Sequence, residues 1–142
     1  MIKGLLVSAP LCHGVKEILP DLCRNHNASI VTNSPRGFVQ ATLKEGELLG
    51  FWNKILTLED FKSKYDACSF ILGQVESSQW KAFLIGDTVS DVHLSKRLGC
   101  RSIIVFNQCS WSWPNKDSIL EARPYRLIED IRRLPDIFKE EL

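Results

Sequence analysis

Phe83-Leu84-Ile85-Gly86-Asp87-Thr88-Val89-Ser90-Asp91 is the stretch from which the fold can be read. With Lys81 and Ala82 it opens as a short apolar run of the kind that forms a fully buried strand. Gly86 allows a tight exit from the sheet, and Ser90 is placed to cap a following helix. Val92, Leu94 and Leu98 give that helix an apolar face, and Gly99 supplies its stop. The result is strand, turn and helix, with Asp87 at the strand end and Asp91 in the first helical turn. Two carboxylates so placed can point into one crevice, and all-oxygen donors suit a hard cation such as Mg2+.

Outward from this unit the same alternation repeats. Ile2–Val7 reads as a first strand, and His13–Asn25 as a helix with Val15, Ile18, Leu19 and Leu22 on one face, kinked or split at Pro20. Ala28–Thr32 is a β-branched strand closed by Asn33-Ser34-Pro35. Gly37–Lys44 reads as a helix, Trp52–Leu56 as a short strand, and Thr57-Leu58-Glu59-Asp60 as a helix start. Cys68–Val75 is helical, Ser102–Phe106 is a buried strand, and Leu127, Ile131, Leu134 and Phe138 have helical spacing broken at Pro135. Short buried strands alternating with helices imply βαβ units, and so an α/β fold with a mainly parallel sheet and helices on both faces.

The 142 residues suffice for one domain, taken as 1–142. The net charge of +1, with 44% hydrophobic and 25% charged residues, is that of an ordinary globular chain. It excludes disorder and predicts neither nucleic-acid binding nor a membrane surface. No apolar run approaches a membrane span and the first residues are too short for a signal peptide, so a cytoplasmic protein is expected. The five cysteines (12, 23, 68, 100 and 109) are odd in number and show no C-x-x-C pair, which points to reduced thiols rather than a disulfide framework or zinc site.

In open α/β sheets ligands bind at the carboxyl ends of the strands. Besides Asp87, the second loaded end is Ile30-Val31-Thr32-Asn33-Ser34-Pro35, where hydroxyls, an amide and backbone N–H groups can meet an anion. In this order, the two ends resemble the haloacid dehalogenase (HAD) superfamily, mostly phosphohydrolases on a Rossmann-like core, a three-layer α/β/α sandwich. The likeness runs over about residues 10–138, with Gly14–Leu19 resembling the helix that leads into the threonine motif. It implies that Thr32 hydrogen-bonds a transferring phosphoryl group, that Asn33 and Ser34 lie beside it in the substrate site, and that Asp87 ligates Mg2+ with Asp91 in support. The family's lysine, which neutralises nucleophile and phosphate, corresponds to Lys64, with Lys62 as the alternative. The family often has Lys-Pro-Asp where this chain has Lys64-Tyr65-Asp66, so the proline is missing.

The departure from the family lies at strand one. The family requires Asp-x-Asp there, a nucleophile followed by a general acid/base. Here Ser8-Ala9-Pro10 occupies those positions. Pro10 has no titratable group, and Ser8 has no identified base. Three accounts remain open: a degenerate, inactive member serving as a binding module, half of an enzyme completed by another chain, or unusual chemistry through Ser8. Neither the short stretch from Pro10 to Gly14 nor the 31 residues between Thr32 and Lys64 leaves room for an inserted cap domain. The site is therefore expected to be open, which in this family goes with large substrates. A phosphorylated substrate or a protein partner is the expected ligand. Trp111 and Trp113 read as a loop packed on the core edge, with a partner surface as the alternative.

Overall fold

The computed structural model describes residues 14–74, 81–108 and 116–141. Strand one with Ser8-Ala9-Pro10, and the Trp111/Trp113 pair, lie outside the described residues. The elements are α1 (Val15–Asn25), β1 (Ser29–Val31), α2 (Arg36–Glu45), β2 (Lys54–Leu56), α3 (Lys64–Leu72), β3 (Phe83–Gly86), α4 (Val89–Leu98), β4 (Arg101–Val105), α5 (Lys116–Ala122), β5 (Arg126–Ile128) and α6 (Leu134–Glu141). Every strand pair among them is parallel. β1 lies on β2 with Ile30 opposite Ile55, and β3–β4–β5 form a second group with Ile85 opposite Ile103 and Ile104 opposite Leu127.

Side chains alternate along each strand, so neighbouring residues enter different cores. Ile30, Phe83, Ile85, Ile103 and Val105 pack with α1, α2 and α6, through residues such as Leu19, Leu43 and Leu134. Val31 and Leu84 pack on the other face with Ala67, Cys68, Ile71 and Leu72 of α3 and with Leu94 and Leu98 of α4. Ile104 and Phe106 continue that second face with Val92 and the α5 residues Ile119 and Ala122. Both strand groups thus feed both cores, giving the expected three-layer α/β/α sandwich. No described helix is long and apolar enough to cross a membrane.

Three local expectations are corrected and one is sharpened. Pro20 does not split α1, which is one helix: buried Val15, Ile18, Leu19 and Leu22 hold both halves against the same core. The cap of α4 is Thr88, not Ser90, because Thr88 Oγ1 accepts the Asp91 N–H while Ser90 is exposed. Thr57 does cap a helix start with Glu59 and Asp60 in its first turn, but that helix is a single 3-10 turn over Leu58–Asp60, and α3 begins later, capped by Ser63. The apparent 127–138 helix divides into β5, a 3-10 turn at Ile131–Arg133, and α6. Residues 126–128 complete the edge of β4, so sheet pairing overrides helical spacing there. Pro135 is the second residue of α6, where a missing N–H breaks no intrahelical bond. At the start of α1, Gly14 has φ 88° and its Cα faces the Arg132 side chain, leaving no room for a Cβ.

The amino ends of the strands carry an ionic clamp on the last helix. Glu141 of α6 accepts from Tyr125 Oη (2.7 Å), Arg126 Nη2 (2.8 Å) and Arg101 Nη1 (3.1 Å). Arg101 is buried, its guanidinium 4.2 Å from the Phe83 ring centroid. The Tyr125 and Arg126 hydrogen bonds hold the Glu141 carboxyl below the ordinary value of 4.5. A carboxyl with a depressed folded pKa contributes stability above its unfolded pKa and loses it as pH falls through the folded one. Glu141→Gln is therefore expected to lower the urea midpoint at pH 7, and the gap to wild type should close on acidification below 4.5. A pH-independent gap would contradict this.

Candidate active site

Each loaded strand end is one residue past a buried strand. Asp87 directly follows β3, and Thr32 directly follows β1. Both are almost fully buried, at 3% and 2% exposure. Val31 and Leu84, one and three residues before them, share one core, and Ile30 and Ile85 share the other. The two ends are thus built on the same pair of layers.

At the first end, Asp91 Oδ2 accepts the backbone N–H of Asp87 (3.0 Å) and of Thr88 (3.2 Å). Thr88 answers by accepting the Asp91 N–H, which completes a reciprocal helix cap. The carboxylate also sits on Gly86: a Cβ there would stand 2.1 Å from Asp91 Oδ2. The glycine is thus required by close approach rather than by an unusual φ. Asp91, 1% exposed, is the residue that fixes the backbone of Asp87.

At the second end, Ser34 N–H donates to Thr32 Oγ1 at 3.1 Å. This leaves the Thr32 hydroxyl proton available to a further acceptor while its oxygen is held. Asn33 is exposed and Ser34 half-buried. Lys64 is the first residue of α3 and half-buried, and Lys62 is exposed just ahead of it; α3 packs on β1 and α4. Ser8 lies outside the described residues.

Sequence reasoning missed a set of ties between the β1 and β2 ends. Thr32 N–H donates to Leu56 O (3.0 Å) and Leu58 N–H to Ser34 O (3.2 Å). Arg36 N–H, at the start of α2, donates to both oxygens of Glu59 (3.1 Å each), and the Arg36 guanidinium pairs with Asp60. Buried Thr57 places its hydroxyl 3.0 Å from Glu59 Oε1 and gives its N–H to Asp60 Oδ2 at 2.8 Å. The Arg36 N–H holds the Glu59 carboxyl below its ordinary range, and the Thr57 N–H does the same for Asp60. The only local signal was the acidic turn after Thr57, and its partner lies 23 residues away.

Among the described residues, Cys23, Cys68 and Cys100 form no disulfide, and burial pushes the Cys100 thiol up and away from the reactive thiolate. Among the described residues no group of three or more His, Cys, Asp or Glu side chains could hold a metal ion. Mg2+, however, keeps several waters and commonly rests on one or two carboxylates, so the buried strand-end Asp87 fits its donor chemistry.

Three solved structures frame this geometry. A haloacid dehalogenase-like family hydrolase from Streptococcus pneumoniae is 19% identical with a TM-score of 0.73, and the match covers 90% of this chain and 60% of that one. A predicted phosphoglycolate phosphatase from Haemophilus somnus is 18% identical with a TM-score of 0.75, covering 93% and 59%. The HAD-hydrolase YfnB from Bacillus subtilis, bound to magnesium, is 19% identical with a TM-score of 0.72, covering 91% and 55%. At these identities the likeness concerns the fold. The chain spans about 60% of the length of these structures or less. No curated protein matches the sequence. The family model for haloacid dehalogenase-like hydrolases matches residues 7–105.

The grip of Asp91 yields a direct prediction. Asp91→Ala strands the buried N–H of Asp87 and the part-buried N–H of Thr88 and should cost about 2–3 kcal/mol in urea denaturation. Gly86→Ala should cost about 1–3 kcal/mol by displacing the same carboxylate. An Asp91→Ala variant as stable as wild type would contradict the assigned role.

Proposed function

The chain belongs to the haloacid dehalogenase-like hydrolase family, and from that premise we propose that its carboxyl-edge site is of the phosphohydrolase type and takes a phosphate ester with Mg2+. The observation that carries this is the Thr32 hydroxyl, whose oxygen is held by the Ser34 N–H and whose proton is left to a ligand. In this reading Thr32 donates to a phosphoryl oxygen, and Asn33 and Ser34 line the loop beside it. Lys64, or Lys62, adds positive charge toward the phosphate. Asp87, its backbone set by Asp91, would hold Mg2+, which when bound neutralises phosphoryl charge and orients the ester. With no room for an inserted cap, the site is open, and this favours a large phosphorylated substrate or a protein partner.

A second reading rests on Ser8-Ala9-Pro10, which offers no carboxylate where the family places its nucleophile and its acid/base. On that basis the domain recognises phosphate without turning it over and acts as a binding module. Both readings share the phosphate site and differ in turnover alone. An assay of p-nitrophenyl phosphate with Mg2+ separates them. Hydrolysis that falls at least tenfold in Asp87→Asn supports the enzyme. No rate above the blank, with phosphate binding retained, supports the binding module. A rate unchanged in Asp87→Asn contradicts the assigned site.

A further inference from the structure

We infer that Glu59 is a positioning residue of the phosphate site, acting through the α2 backbone on the loop that holds Thr32; this rests on the phosphate reading above. The loop 32–35 has two anchors at its Thr32 end, the β2 backbone and its own Ser34 turn. Its far end is the start of α2, where Pro35 is the cap residue and supplies no side-chain cap. The first N–H groups of a helix need partners from outside. Glu59 provides one: both its oxygens lie 3.1 Å from the Arg36 N–H. The carboxylate thus does for α2, across 23 residues of sequence, what a local Ser or Asp cap would otherwise do. It is itself held by the hydroxyl of Thr57, which is 0% exposed and ties the 3-10 turn to the core.

The consequence is specific. The orientation of Thr32 Oγ1 depends on the Ser34 N–H, and Ser34 is in turn fixed by the Leu58 N–H on its carbonyl and by the anchored Arg36 two residues on. Without Glu59 the loop keeps its β2 anchor and loses its helix anchor. The Arg36–Asp60 pair is a separate contact made by the side chain, so the backbone tether and the side-chain pair can be removed independently.

The test is titration of the full chain with inorganic phosphate in the presence of Mg2+, followed by calorimetry. Glu59→Ala is expected to weaken phosphate binding at least fivefold. Glu59→Gln, which keeps a carbonyl acceptor for the Arg36 N–H, should return affinity to within twofold of wild type. Arg36→Ala, which keeps the N–H and loses the guanidinium, should also stay within twofold. Unchanged affinity in Glu59→Ala, no rescue by Glu59→Gln, or an equal loss in Arg36→Ala would overturn the tether. A wild type that does not bind phosphate, or a Thr32→Val variant that binds equally well, would instead overturn the site reading on which the tether rests.

Discussion

The carboxylate of Asp91 is the contact on which the exit from β3 depends. One oxygen accepts two successive N–H groups, from Asp87 and Thr88, and lies against the bare Cα of Gly86. Three constraints meet at that atom: a helix start closed by a reciprocal cap, a turn leaving a buried strand, and a residue that must stop at the strand end. A charged acceptor satisfies the first two at once, and hydrogen bonds to charged groups are among the stronger ones in proteins. The Gly-Asp-Thr-Val-Ser-Asp spacing follows: glycine for the close approach, threonine for the cap, and an acid four residues after Asp87 for the grip.

The β1 end solves the same problem with different parts. No single carboxylate closes the turn there. Thr32 bonds to β2, Ser34 folds back on Thr32, and Glu59 reaches in from the next turn to hold the start of α2. Both ends leave a strand buried on both faces, and both settle the polar groups there with side-chain oxygens. Such fixed polar groups at a sheet's carboxyl edge are what phosphate recognition requires, since preorganised donors need no rearrangement when charge arrives. The same scaffold can serve turnover or binding alone. In the proposed reading that choice turns on Ser8-Ala9-Pro10, a stretch without a carboxylate.

Much of this was legible in the sequence because the signals are local. The apolar runs at 83–85 and 103–106 read correctly as buried strands, since both faces of a parallel sheet demand continuous hydrophobicity. Gly99 marked the end of α4, where it adopts φ 74°. The misreadings came from non-local forces. Leu127 fell on a helical stripe with Ile131, Leu134 and Phe138, but the open edge of β4 drew 126–128 into the sheet. Thr88 displaced Ser90 as cap because Asp91 could answer it. The Glu59 tether to Arg36 had only the acidic turn after Thr57 as a signal, because neither residue announces a partner 23 positions away.

The central claim is that the β1 and β3 ends serve one ligand. Amide chemical shifts of the 15N-labelled protein, followed through an inorganic phosphate titration with Mg2+, test it most directly. The account predicts that the Ser34 and Asp87 amides shift together and saturate with one dissociation constant, while the Arg126 amide at the opposite edge stays still. Shifts at only one strand end, or two different saturation curves, would contradict it.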